Sequence, residues 1–204
     1  MNTMTTSRFA RIATLFGALV ALVVAVAPAS GNGGSGYFGS DLNKNVQPSN
    51  AGPAHKCDYQ PGKQCTWVLN EAYGAPGREG APHSGYIKKL RLIAQEAGHF
   101  KLQVVKLNNL GDVILKQKGP RIDYEGQQGY GGPVGTYRVE KFKVHVPVHK
   151  GEYLAIKARE TSTLRCSSGG DNNLQLSPAL KKVGEKRTWD AEDGCWMLLE
   201  AKVK

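Results

Sequence analysis

The sequence predicts an all-β protein, an antiparallel β-sandwich of jelly-roll type with roughly eight short strands. Two observations support this fold class. Several short segments alternate apolar and polar residues at every second position, which is typical of a strand with one face on a core and the other in water. Beyond the N-terminal segment, no stretch of about eleven residues or more shows the three-and-four apolar spacing of a helix. A closed barrel is the alternative architecture.

Residues 1–29 predict a secretory signal peptide. Arg8 and Arg11 precede an uncharged run from Ile12 to Val26, and small residues that suit cleavage follow it. The run is short for a membrane span of about 20 residues, so an uncleaved anchor is the disfavoured alternative. We therefore expect a secreted protein, extracellular or associated with a cell wall, that has no membrane span after cleavage.

The exported chain is predicted to consist of a leader and one folded domain. Residues 30–56 are rich in Gly, Asn, Ser and Pro, which is typical of a flexible segment. Residues 57–204 form the single β-sandwich domain. Removing a signal with two arginines and no acidic residue from the 27 basic and 17 acidic residues leaves a net charge of +8. Such a charge favours polyanionic partners through non-specific electrostatics.

The four cysteines predict two disulfides, because an even number in an exported chain is typical of a disulfide framework. Cys57 and Cys65 are close in sequence and are expected to close a local loop. Cys166 and Cys195 would then join two strands near the C-terminus. The sequence alone does not fix this pairing, and zinc binding is disfavoured because no Cys-x-x-Cys spacing occurs.

Apolar alternation places the strands along the chain, with Gly-rich turns between them. Leu90 and Leu92 point inward in one strand, and Phe100 and Leu102 do so in the next. Strands are predicted at Thr66–Leu69, Tyr86–Gln95, Phe100–Leu107, Val113–Lys118, Phe142–Val148, Tyr153–Ile156 and Cys195–Val203, with Leu174–Leu180 as a strand or an irregular crossing. Loops are predicted at Ala72–Ser84, Gly119–Thr136, Ser167–Asn173 and Gly184–Gly194.

The clearest strand carries its apolar residues on one face and its basic residues on the other. The inward positions are Phe142, Val144, Val146 and Val148, and the outward positions are Lys141, Lys143, His145 and His149. Pro147 cannot donate a hydrogen bond to a neighbouring strand, so this strand is predicted at a sheet edge or a bulge.

Four stretches of the chain share a recognisable pattern: Cys65–Val68, Gly85–Ile87, Phe142–Leu154 and Leu198–Ala201. Together they resemble a group of secreted bacterial β-sandwich proteins without an assigned activity. The shared pattern is an apolar-Pro-apolar strand that runs into a Gly-acid turn. The resemblance implies a jelly-roll-like fold similar to carbohydrate-binding modules, and it implies no catalytic residue.

The sequence contains none of the common hydrolase or phosphate-binding motifs, so no catalytic residue is predicted. His145 and His149 lie about 13 Å apart in an extended strand, which is too far for one zinc ion. No metal site and no cofactor are predicted. A structural calcium ion is the alternative, held by loops around Asp190, Glu192 and Asp193 or by Asp171–Asn173.

Two groups of residues are candidates for ligand binding. Tyr73, Tyr124 and Tyr130 lie on predicted loops, where exposed rings stack on sugars, although rings in Gly-rich loops also pack down onto a domain. Trp67 and Trp196 are expected in the core. The second group is basic: Lys141, Lys143, His145 and His149, with Lys89, Arg91 and Lys101, could form an anion-binding surface or protect sheet edges from pairing.

These observations favour an exported, non-catalytic protein that binds an extracellular polymer, either a polysaccharide or an anionic cell-wall component. A structural or protein-interaction module without a small ligand is the first alternative, and a polysaccharide-degrading enzyme is the second. Specific nucleic-acid binding is not expected, and the sequence does not predict an oligomeric state.

Overall fold

The computed structural model describes residues 36–43, 57, 63–132, 136–159 and 166–204, without the side chains of 166–172, 193 and 195. The predicted signal peptide lies outside these residues, as does most of the predicted leader. The described residues form eleven strands and contain no helix that could cross a membrane. The strands are β1 (Tyr37–Gly39), β2 (Cys65–Leu69), β3 (Gly85–Leu92), β4 (Gly98–Leu107), β5 (Asp112–Tyr124), β6 (Glu140–Val148), β7 (Tyr153–Ala158), β8 (Cys166–Leu176), β9 (Lys186–Thr188), β10 (Ala191–Met197) and β11 (Leu199–Val203).

The strands form two antiparallel sheets. The small sheet has the order β1-β11-β3-β6, and the large sheet has the order β10-β8-β2-β7-β4-β5-β9. Four antiparallel pairs are arranged symmetrically about the β4–β5 turn: β4–β5, then β3–β6, β2–β7 and β1–β11. This is the pairing that one long β-hairpin with its turn between β4 and β5 would have. Folding that hairpin over two sheets gives a jelly roll. The predicted fold class is confirmed, and β8–β10 are additions to the large sheet.

The main core lies between the two sheets. Trp67 and Phe100 reach it from the large sheet, and Ile87 and Leu90 reach it from the small sheet. All four are almost completely buried. Because burying a large apolar side chain contributes about 1.5–3 kcal/mol, this shared core holds the sheets together. The predicted inward positions on the two strands at Tyr86–Gln95 and Phe100–Leu107 are confirmed.

A second apolar cluster lies on the outer face of the large sheet. Val68, Val105 and Leu115 of that face are covered by the segment that follows β8, which contributes Leu180 and Trp189. This segment covers part of the face. The rows of β4, β5 and β7 next to Leu180 carry polar and charged side chains instead, and they form the candidate site below.

The prediction of a flexible leader is wrong for residues 36–43. Strand β1 pairs with β11, and Phe38 is fully buried in the main core. The composition of the leader is polar on average, but the average hides one large aromatic side chain. Burial of that ring and pairing of its backbone offset the entropy of ordering this short segment.

Three predicted loops are wrong where they overlap strands. Strand β5 continues through Gly119 to Tyr124, β8 contains Ser167–Asn173, and Gly184–Gly194 contains β9 and part of β10. The predicted terminal strand is also divided at Leu198: β10 belongs to the large sheet and β11 to the small one. Polar and glycine residues are tolerated in these strands because neighbouring strands satisfy their backbone groups.

One predicted disulfide is confirmed, and one falls outside the described side chains. Cys57 and Cys65 are bonded, with their Cα atoms 5.7 Å apart. Cys166 and Cys195 lie on the paired strands β8 and β10, where Cys195 is opposite Ser168. The second disulfide stays a prediction.

The edge position of β6 is confirmed. It is the last strand of the small sheet, and Pro147 lies opposite Tyr86 of β3. A proline is tolerated there because the other side of an edge strand has no partner to bond.

Candidate functional site

A row of three cations crosses the outer face of the large sheet. Lys101 of β4 lies opposite Arg121 of β5 on one side and opposite Lys157 of β7 on the other. Phe100 and Leu102 point into the core, so alternation turns Lys101 outward. Neighbouring strands are about 4.8 Å apart, and like charges directly opposite each other destabilise a sheet. Apolar packing does not account for this row of Arg121, Lys101 and Lys157, which we call the large-sheet row.

A bulge adds a fourth cation to the same face. Lys118 and Arg121 are three residues apart, so regular alternation would place them on opposite faces. The register shifts between them, because Lys118 pairs with Gln103 while Arg121 pairs with Lys101. Gly119 and Pro120 therefore share one partner position, and both cations face outward. A proline that lacks an N–H is well suited to such an interruption of the ladder.

Gly119 is required at this bulge by the core beneath it. A Cβ atom at this position would lie 3.0 Å from the Cβ of Leu102 and 3.1 Å from Cγ2 of Val146. Val146 belongs to the small sheet, so the backbone of β5 closely approaches the facing sheet here. Gly119 thus allows close packing on the core side of β5. The bulge at Gly119-Pro120 places Lys118 and Arg121 together on the outer face.

A buried hydrogen-bond network fixes the segment that supplies the fifth cation, Lys181. Thr66 donates to Oε1 of Gln103 at 2.9 Å and accepts from the backbone N of Leu180 at 2.9 Å. Nε2 of Gln103 donates to the carbonyl oxygen of Leu180 at 3.1 Å. Because all three bonds are buried, this network holds the backbone before Lys181 firmly against the sheet.

These residues enclose a cavity of about 500 Å³, which we call the cationic groove. Its five cations are Lys101, Lys118, Arg121, Lys157 and Lys181. Arg121 forms an ion pair of 2.8 Å with Asp123, but both side chains are more than half exposed, so the pair contributes little. None of the four lysines forms an ion pair with any residue that the structure describes. The groove therefore carries a net positive charge.

The groove perturbs the titration of Lys157. Its pKa is lowered, first by burial and then by the positive charges of Lys101, Lys181 and Lys118. Glu185 acts in the opposite direction, but its carboxylate accepts hydrogen bonds from the backbone N of Lys181 at 2.7 Å and of Lys182 at 3.1 Å. These hydrogen bonds hold Glu185 beside Lys181 and Lys182. The positive charges of the groove therefore outnumber this one nearby carboxylate.

The predicted basic surface is divided between the two sheets. Lys101 belongs to the groove, whereas Lys141 and Lys143 face outward from β6 at the edge of the small sheet. Arg91 lies opposite Lys141, but its Nη1 is 2.6 Å from the buried carboxylate of Glu200. The positive charge of Arg91 is therefore compensated, while Lys141 and Lys143 keep theirs.

The two candidate histidines have separate neighbours. The ring of His145 stacks on Tyr86 with centroids 4.3 Å apart, and Nδ1 lies 2.6 Å from Nζ of Lys88. His149 instead lies 3.4 Å from Oε1 of Glu152, whose other oxygen accepts the backbone N–H of His149. Within the described part of the chain, no group of three or more His, Cys, Asp or Glu side chains could hold a metal ion.

Of the residues considered for calcium, Asp190 has a described partner: it accepts the backbone N–H of Ser177 at 2.6 Å. Glu192 is exposed, and the side chains of Asp171, Asn172 and Asp193 lie outside the description. The structural calcium ion stays a prediction.

The three candidate tyrosines have different environments. Tyr124 ends β5 and is only 4% exposed, packed against Phe100, so the expectation that it lies on a binding loop is wrong. Tyr73 is half-buried and meets Trp196 edge-on at 5.5 Å. Tyr130 is 40% exposed in the loop that follows β5. Because one of the three belongs to the core, they do not form a common stacking platform.

Sequence reasoning missed four of the five groove cations: Lys118, Arg121, Lys157 and Lys181. Pairing Lys101 with Lys157 requires the strand order, which the sequence does not give. One local signal was present in Gly119-Pro120, since glycine and proline inside a strand pattern indicate a bulge as well as a turn.

No family model, no curated protein and no solved structure matches this chain. The resemblance to secreted β-sandwich proteins stays a prediction.

Proposed function

We propose that the protein is an exported, non-catalytic β-sandwich that binds an anionic extracellular polymer, an acidic polysaccharide or an anionic cell-wall component. The large-sheet row is the observation that carries this proposal. Arg121, Lys101 and Lys157 stand side by side on three neighbouring strands at a cost in stability. An anionic chain lying across the strands would compensate all three charges at once.

The lining of the groove favours recognition by charge. No aromatic side chain is among the lining residues, so the groove offers no aromatic ring on which a sugar or a nucleic-acid base could stack. Gln103 is already engaged by Thr66 and by the backbone of Leu180. The groove is therefore suited to carboxylate, sulfate or phosphate groups, and it is poorly suited to uncharged glycans.

The rigid parts of the groove support binding of a polymer rather than of single ions. Lys101 and Lys157 stand on central strands of the large sheet, and the network of Thr66 and Gln103 fixes the neighbouring rim. Sites on strands with buried support lose little freedom on binding. Several such contacts on one chain add together, whereas a single small anion uses few of them.

The test is calorimetric binding of dextran sulfate and polygalacturonate, with uncharged dextran as the control ligand. We expect binding to both polyanions that weakens as salt rises, and none to dextran. The double variant Lys101→Gln/Lys157→Gln should bind roughly tenfold more weakly, because each contact contributes about 0.5–1 kcal/mol. No binding of either polyanion by the unaltered protein at low salt would refute the proposal.

The matched control is Lys106→Gln/Lys182→Gln. It removes the same charge from exposed positions outside the groove lining, so it should bind almost as well as the unaltered protein. An equal loss in both double variants would show that net charge, and not the groove, determines binding. The enzymatic alternative is tested by incubating the protein with polygalacturonate and measuring absorbance. Release of unsaturated uronic-acid ends would show that the protein degrades the polymer and is not a non-catalytic binding protein.

A further inference from the structure

The small sheet carries a second row of three cations that repeats the arrangement of the large-sheet row. Lys89 of β3 lies opposite Lys143 of β6 on one side and opposite Lys202 of β11 on the other. Leu90 and Ala201 next to them are buried in the main core, so these three lysines face outward. We call Lys143, Lys89 and Lys202 the small-sheet row.

A bulge also supports this second row. Ile87 and Lys89 are two residues apart and would share one face in a regular strand. The register shifts between them on both sides of β3, so Ile87 stays in the core while Lys89 turns outward. Both sheets therefore interrupt their regular pairing at the place where a cation is brought to the surface.

The charge of the small-sheet row is uncompensated. None of Lys89, Lys143 and Lys202 forms an ion pair within the described ranges of the chain, although Nζ of Lys202 lies 4.9 Å from the ring centroid of Tyr37. The acid on the same face is Glu200, and both its oxygens are occupied by Arg78 and Arg91. The row is thus available to an anionic group from outside.

From these two rows we propose that the protein has two polyanion-binding surfaces on opposite faces and bridges two chains of its polymer. The main core lies between the sheets, which pack about 10 Å apart, so one extended chain lying across the strands of one face does not reach the other row. This inference rests on the proposed function and adds to it a second surface and a cross-linking activity.

The test is a capture assay with two labelled polymers. Biotinylated dextran sulfate is fixed to beads, fluorescent dextran sulfate is added, and the bound fluorescence is measured with and without protein. Bridging predicts capture that depends on protein, has a maximum at an intermediate protein-to-polymer ratio and disappears at high salt. Uncharged fluorescent dextran should not be captured.

Variants that lack charges in one row test whether capture of the second polymer requires both rows. Lys89→Gln/Lys143→Gln should still bind dextran sulfate through the groove, as measured by calorimetry, but should capture no second chain. Lys101→Gln/Lys157→Gln, which weakens binding at the groove, should also capture much less of the second polymer, whereas Lys106→Gln/Lys182→Gln, with the same net charge, should capture as much as the unaltered protein. These substitutions remove like-charge contacts or exposed charges, so all variants are expected to fold.

The outcomes separate this inference from the proposed function. Capture by Lys89→Gln/Lys143→Gln that equals that of the unaltered protein would overturn the second surface and leave the groove in place. Calorimetric binding without capture by the unaltered protein would also overturn bridging alone. Absence of any binding would overturn both proposals.

Discussion

Lys101 lies directly opposite Lys157 on the neighbouring central strands β4 and β7, and neither side chain forms an ion pair with any residue that the structure describes. A hydrophobic core between two sheets does not require this pairing, because Lys101 and Lys157 are on the outer face. Formation of the core therefore does not require lysines at these two positions. Like charges at such a position destabilise the sheet unless a ligand compensates them.

Replacement of Lys101 by threonine is expected to stabilise the free protein by about 0.2–1 kcal/mol, since it removes repulsion from both Arg121 and Lys157 and introduces a β-branched residue. Urea unfolding at low salt measures the change. The stabilisation should shrink at roughly 0.5 M salt, where exposed charges are screened. If Lys106→Thr on the same strand stabilises equally, strand propensity is the cause and not repulsion in the row.

Lys157 is expected to make the folded state more stable as the pH rises in the alkaline range. Burial and the neighbouring lysines lower its pKa in the folded state. Between that pKa and the ordinary lysine value, the unfolded chain binds more protons, so the free energy of unfolding increases with pH. In urea unfolding, the unaltered protein should therefore gain stability relative to Lys157→Met as the pH rises toward the ordinary lysine pKa. A constant difference across this range would contradict the effect, and Lys106→Met is the control.

Local alternation predicted which residues face inward, because that pattern depends only on the geometry of a single strand. Phe100 and Leu102 are examples, and the order of their neighbours was not needed. The cationic groove could not be predicted in this way, since it depends on β4 lying between β5 and β7. Strand order is determined by contacts that are distant in sequence.

Two further differences have specific physical causes. Composition places Phe38 in a flexible leader because it averages over a whole segment, whereas burial of a single ring can hold a three-residue strand in place. Gly119-Pro120 falls in the predicted loop Gly119–Thr136, because that segment is rich in glycine. Within a long strand whose partner continues past them, the same residues form a bulge instead.

Replacement of Gly119 by valine is expected to destabilise the protein by about 1–3 kcal/mol, because its side chain would overpack the core against Leu102 and Val146. The midpoint of urea unfolding measures this loss. Gly131→Val is the matched control, since a Cβ atom there meets nothing within 4 Å. The variant should also bind dextran sulfate more weakly, because a displaced bulge moves Lys118 and Arg121. Equal stability of the two variants would show that β5 does not press on the small sheet.

Removal of the carboxylate of Glu200 is expected to cost about 3 kcal/mol of stability, although Glu200 lies on an outer sheet face. Its side chain is fully buried between Arg78 at 2.9 Å and Arg91 at 2.6 Å. Glu200→Ala leaves two arginines close together without their shared anion, whereas Glu200→Gln keeps some of the hydrogen bonds and should lose less. Urea unfolding measures both, with exposed Glu192→Ala as the control. If Glu200→Ala is no more destabilising than that control, water compensates the two arginines and the ion pairs do not hold the small sheet to the loop that carries Arg78.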